Sequence, residues 1–290
     1  MRPVGIVLAV LLIAACPPRR SRVVYVQSVP IAPVVAAPAA EPVPQAPPPV
    51  AVDPVLDPHL RAWEEKVAGL TNLRAEVSLT RTDAVFKKTT MFGGSGSVVL
   101  WMKPNYVVFR INNSDDPAKT DYEAFICDGK SLYLYSGLAK TITAIKLPLN
   151  AEVNWPWNRL LTPNPALEVL SGMKAKEMKE RFDIKLTKSD ENYLYWDVKP
   201  RSDEDKRAFA HLRLALYGPG PNTAKLSYLP AQAYVLKPNG DTEVWKFTNP
   251  QIDLPGVEAK HFQFVDIKGW KVQQIPPTPP KTNADDVLEP

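Results

Sequence analysis

Where its prolines fall constrains this 290-residue chain more than any other feature. Residues 17–57 are crowded with proline, alanine and valine, and residues 276–290 are again proline-rich and polar. Proline locks φ and has no backbone N–H, so neither stretch suits a helix interior or a central strand. The first is expected to form a polyproline-II tether. It would reach on the order of 120 Å at about 3.1 Å per residue. The second is expected to be a disordered tail. Between them lie residues 58–275, long enough for one large domain.

The amino terminus has its own logic. Arg2 is followed by an apolar run over residues 4–15 and then by Cys16. The run is shorter than the roughly 20 residues that cross a bilayer as a helix. A charged start, an apolar middle and small residues before the cysteine match a secretory signal. Leu12-Ile13-Ala14-Ala15-Cys16 resembles a lipobox, which implies removal of residues 1–15 and acylation of Cys16. Residues 16–57 then combine lipid anchor and tether, and the protein faces the periplasm from a membrane of the cell envelope, expected to be the outer membrane. The other reading is an ordinary signal cut after Ala15. Arg19, Arg20 and Arg22 either touch anionic headgroups or keep the tether solvated.

The chain has two cysteines. With Cys16 acylated, Cys127 has no partner within the chain, so a hydrophobic core and not a disulfide must hold the domain together. Its setting, Phe125-Ile126-Cys127, suits a small buried hydrophobe.

Residues 58–275 open with helical spacing: Leu60, Trp63, Val67 and Leu70, with Asp57 as the expected N-cap and Pro58 in the first turn. Alternating or apolar runs then read as strands. They cover residues 73–79, 97–102, 106–111, 125–127, 132–135 and 141–147. Pro104 stops one of them, and Asp128-Gly129-Lys130 closes a hairpin. A helical middle follows, with a helix starting at Pro165 and a second over residues 174–181. Further strands are expected at 182–186, 193–198, 212–216, 233–236 and 244–247. Strands joined by short turns indicate an antiparallel meander and not βα units. Several are apolar on both faces, so both faces must be covered. The expected class is α+β: a curved antiparallel half-barrel sheet with helices packed in its concave side.

With the strands in place, a family resemblance emerges. Gly96-Ser97-Val98-Val99-Leu100-Trp101-Met102-Lys103-Pro104 resembles the glycine, apolar strand and basic-proline turn of periplasmic lipoprotein carriers of the LolA and LolB type. Asp128 to Tyr135 resembles their next hairpin. Leu229-Pro230, Gly240 with residues 244–247, and Phe262-Gln263-Phe264 with Gly269 follow in the same order. Residues 174–184 also resemble LolA-like secreted lipoproteins of planctomycetes. The resemblance spans most of residues 60–272. It implies a half-barrel lidded by helices, with an apolar cavity for lipid or lipoprotein acyl chains. It also implies a lid contact for the basic residue before the proline, here Lys103. The carriers have arginine there, and lysine lacks its bidentate geometry. The loop that carries an exposed leucine in the receptor version is Asn112-Asn113-Ser114-Asp115-Asp116-Pro117 here, polar apart from its proline.

Candidate cavity residues are the strand aromatics Trp101, Phe109, Tyr133, Tyr135, Trp196, Trp245 and Phe247. Each serves equally as sheet-to-helix core, and one residue of register decides which face it takes. No catalytic residue is assigned and no cofactor or metal is expected. His59, His211 and His261 are far apart, and no nucleophile elbow or phosphate-binding glycine loop is present. A formal net charge of +4 is too small to argue for nucleic acid. Three functions remain: a lipid-anchored carrier of an amphiphile, a sensor or scaffold binding a protein partner, and a hydrolase of envelope lipid.

Overall fold

The computed structural model describes residues 53–147 and 173–275. The tether, the C-terminal tail, Cys16 and the expected helix at Pro165 lie outside the described residues. Helix α1 spans Leu56–Gly69. Its start differs from expectation. Asp53, not Asp57, serves the first backbone donors, its Oδ1 accepting from the N–H groups of Val55 and Leu56. Asp57 falls inside the first turn and pairs with Lys179 at 2.8 Å.

Seven strands follow: β1 Asn72–Thr82, β2 Thr89–Phe92, β3 Val98–Met102, β4 Tyr106–Asn112, β5 Tyr122–Asp128, β6 Ser131–Ser136 and β7 Thr141–Lys146. Helix α2 spans Ala175–Arg181. Then come β8 Phe182–Ser189, β9 Tyr193–Pro200, helix α3 Asp203–Ala208, β10 His211–Tyr217, β11 Pro230–Leu236, β12 Thr242–Ile252 and β13 Lys271–Ile275.

All thirteen strands form one sheet in the order β13-β7-β6-β5-β4-β3-β1-β12-β11-β10-β9-β8, with β2 beside β1. The sheet is open, its edges being β13 and β8. Every pair is antiparallel except β13 with β7. The two meanders meet where β1 pairs with β12, Val77 opposite Phe247 and Leu79 opposite Trp245.

One face carries α1. Leu56, Leu60, Trp63 and Val67, spaced four, three and four apart, bury a stripe against it. That inner face presents Ala75, Val77 and Leu79 from β1, Phe109 from β4, Trp196 from β9, Leu214 from β10 and Phe247 from β12. All are buried in the same core cluster.

The outer face is apolar over β4 to β7, and the chain's own C-terminal segment covers it. After β12 the chain crosses these strands before joining the edge as β13. Phe262, fully buried, lies 5.4 Å from the ring of Tyr106. This crossing is what the two-sided apolarity of β4 demanded. The short acidic run at residues 203–205 reads in sequence as a solvated turn. It forms α3 instead, because Ser202 caps it through the N–H of Asp205 at 3.0 Å. Among the described residues, no helix is long and apolar enough to cross a membrane.

Candidate functional site

Pairing register divides the seven candidate aromatics between the two faces. Phe109 stands opposite Val99 and Phe125, and Trp101 opposite Leu73 and Val107. Trp245 pairs with Leu79 and Ala233, Phe247 with Val77, and Trp196 with Leu214. These five aromatics therefore share the inner face. Phe109 and Phe125 stack at 4.8 Å, and Trp245 approaches Phe109 at 6.1 Å. Trp196 meets Trp63 of α1 edge-on at 6.0 Å. Trp101 sits apart, in a smaller cluster with Leu70, Leu73 and Leu229 beyond the end of α1.

Tyr133 and Tyr135 lie on the outer face. They pair with Ile126 and Ala124, which alternate with the inward Phe125 and Cys127. Tyr133 packs on Phe264 at 4.7 Å. The Tyr135 hydroxyl donates to the carbonyl of Val265 at 3.1 Å and accepts from its N–H at 3.0 Å. Burial raises the pKa of this phenol. Both tyrosines thus hold the C-terminal crossing segment and do not face α1. Alternation in β6 shows the two-residue period but not which set turns inward.

Helix α1 is fastened at its margins by polar groups. The Lys103 ammonium, on the β3–β4 turn, donates to the carbonyl of Ala68 in the last helical turn. Lysine is well suited there, a cation against the negative end of the helix dipole. Lys66 donates to the carbonyl of Lys225 at 2.7 Å, and His59 contacts the Tyr228 hydroxyl at 3.1 Å. Glu64 accepts from the N–H of Ala175, tying α1 to the start of α2.

One buried charge lies on the same face, and sequence inspection passed over it. Glu243 accepts from Lys237 at 2.6 Å, from Arg81 at 3.1 Å and from the Trp245 indole at 3.1 Å. Burial alone would raise its pKa, but Lys237 and Arg81 outweigh it and hold the carboxyl below its ordinary value. The signal available in sequence was a glutamate at an inward position of an alternating strand, two residues before a tryptophan. Cys127 is fully buried, and desolvation pushes its thiol up to about 12. Among the described residues, no three His, Cys, Asp or Glu side chains are grouped to hold a metal ion. His211 lies 3.4 Å from Asp197, and His261 closes a local turn with Glu258.

An open, almost wholly antiparallel sheet carrying an amphipathic helix on its inner face is an architecture of the α+β class. Solved structures similar to this chain include a LolA superfamily protein from Nitrosomonas europaea, 10% identical, covering 71% of this chain and 98% of that one, with a TM-score of 0.32. The Mycobacterium tuberculosis lipoprotein LppX is 10% identical over 72% of this chain and 100% of its own, with a TM-score of 0.35. An uncharacterized conserved protein from Thermus thermophilus is 11% identical over 74% of this chain and 97% of its own, at 0.40. No protein-family model and no curated protein matches the sequence.

Proposed function

We propose that this protein is a lipid-anchored envelope protein that holds the acyl part of a lipid or lipoprotein against the inner face of its half-barrel. The observation that carries this reading is the inner face itself. Among the described residues it is an apolar wall across both meanders, broken by the Glu243 carboxylate near one end and covered by the stripe of α1, which polar groups fasten at the margins, together with Met178 of α2. An acyl chain taking the place of that stripe exchanges one apolar surface for another. Each methylene buried contributes about 0.8 kcal/mol, while the fastenings of α1 contribute about 1 kcal/mol apiece. Half-buried Phe92, Leu134, Ile145 and Leu186 border the packed centre and would meet the chain first. Acylation at Cys16 would place the domain in the envelope on a proline-rich tether.

Native mass spectrometry tests this. The chain carrying Cys16→Ser, secreted and purified without detergent, is expected to bring an extra mass that extracts as lipid, or to take up added phospholipid. A bare mass with no uptake of fatty acid or phospholipid sinks the acyl-binding reading and turns attention to a protein partner.

A further inference from the structure

Among the described residues, the three most exposed large hydrophobic side chains are Phe86 and Leu138 at 80% and Val85 at 78%, and all sit on turns at one rim of the sheet. Strand direction places them there. β1 runs out to the turn at residues 83–88 and β6 to the turn at 137–140, while the 113–121 and 237–241 connections close the same end. The turns of the opposite rim, at residues 103–105, 129–130 and 190–192, expose no large hydrophobic side chain.

These tips are built. The Asp83 carboxylate accepts from the N–H groups of Val85 and Phe86 at 2.8 and 2.7 Å, and Asp241 accepts from Ala84 at 2.8 Å. The backbone therefore turns inward while both side chains point to solvent. At the second tip, Gly137 lets the chain approach so closely that a Cβ would lie 2.2 Å from the carbonyl of Thr120. Lysines accompany the apolar tips. Lys87 and Lys88 follow Phe86, Lys140 lies two residues after Leu138, and all three are exposed. The acids Asp83 and Asp116 accept from backbone N–H groups of their own turns, Asp241 accepts from the N–H of Ala84 on the neighbouring turn and from the Asn239 amide, and Asp115 is exposed on the same rim.

We propose that this rim docks on an anionic lipid surface, with Val85, Phe86 and Leu138 entering the acyl boundary and Lys87, Lys88 and Lys140 at the headgroups. Apolar tips accompanied by lysines match such an interface, because aliphatic and aromatic groups are favourable below the headgroups and each lysine is attracted to anionic lipid. The C-terminal end of α1 is fastened at the opposite rim by Lys103. This docking does not depend on what the inner face binds.

The test uses the chain from residue 16 onward with Cys16→Ser, so that no acyl group contributes. An environment-sensitive fluorophore is placed at Val85→Cys, Leu138→Cys or Glu191→Cys and mixed with phosphatidylcholine–phosphatidylglycerol vesicles. The buried thiol of Cys127 stays unlabelled. The fluorophores at 85 and 138 are expected to shift to the blue and be quenched by acyl-brominated lipid, while the one at 191 does neither. Phe86→Asp is expected to weaken vesicle binding about tenfold or more. The same emission at all three sites, or vesicle binding indifferent to Phe86→Asp, overturns the proposal. So does capture of the rim by an envelope protein in the absence of vesicles.

Discussion

The ammonium of Lys103 reaches across from the β3–β4 turn to the carbonyl of Ala68, so a strand-turn cation holds the C-terminal end of α1. Lys103→Met keeps the aliphatic stem and removes the charge. It is expected to destabilise the fold by about 1 kcal/mol, read as a lower urea midpoint at unchanged slope. Lys103→Arg should restore most of the loss. If α1 yields to an acyl chain, Lys103→Met also raises lipid uptake, because the helix is freed at one end.

Glu243 makes stability depend on pH with a defined sign. Its carboxyl sits below the ordinary value of 4.5 in the folded chain, so on acidification the unfolded chain takes up this proton first. Its stabilisation is complete above about pH 4.5 and is lost as pH falls through the folded value. Glu243→Gln leaves Lys237 without its carboxylate and Arg81 with only Glu123 at 3.9 Å, and, since both cations reach solvent, is expected to cost about 1 kcal/mol at pH 7. Denaturant titrations at pH 7 and at pH 3 should show the gap between wild type and variant narrowing at the lower pH. A constant gap would exclude this origin.

Tyr135 and its neighbours give a way to separate the two faces. Tyr135→Phe removes both bonds to the backbone of Val265 and is expected to cost about 1–3 kcal/mol. Limited proteolysis should then cut sooner within residues 254–270, with lipid uptake unchanged. Leu134→Asp, one residue earlier and on the inner face, is expected to abolish uptake. The reverse pattern would place the acyl site on the outer face.

Cys127 should be silent to thiol reagents in the native protein, since it is buried and its thiolate is strongly disfavoured. Maleimide labelling is expected only at the rate of unfolding, and becomes rapid in denaturant. Fast labelling under native conditions would show that β5 opens far more readily than its burial implies.

Much of this architecture was legible residue by residue. Pro104 and Asp128-Gly129-Lys130 mark turns by backbone chemistry alone, and alternation locates β1, β9 and β10, because those effects act over a few residues. Apolar residues on both faces of β4 announced that something must cover each face. Local pattern could not say what did. Tyr133 and Tyr135 are chemically suited to line a site, but the C-terminal segment more than a hundred residues later claims their face. The parallel β13 and the pairing of β1 with β12 are likewise settled by partners distant in sequence, where hydrophobic burial decides and local propensity does not. The charge triad of Glu243, Lys237 and Arg81 has the same origin, since no spacing along the chain announces that β1 will lie beside β12. Strands and turns fall where neighbouring residues put them, and the bare chain carries that information. Which side of each strand faces α1 is set by packing alone, because a period of two has no sign until a distant segment covers one face.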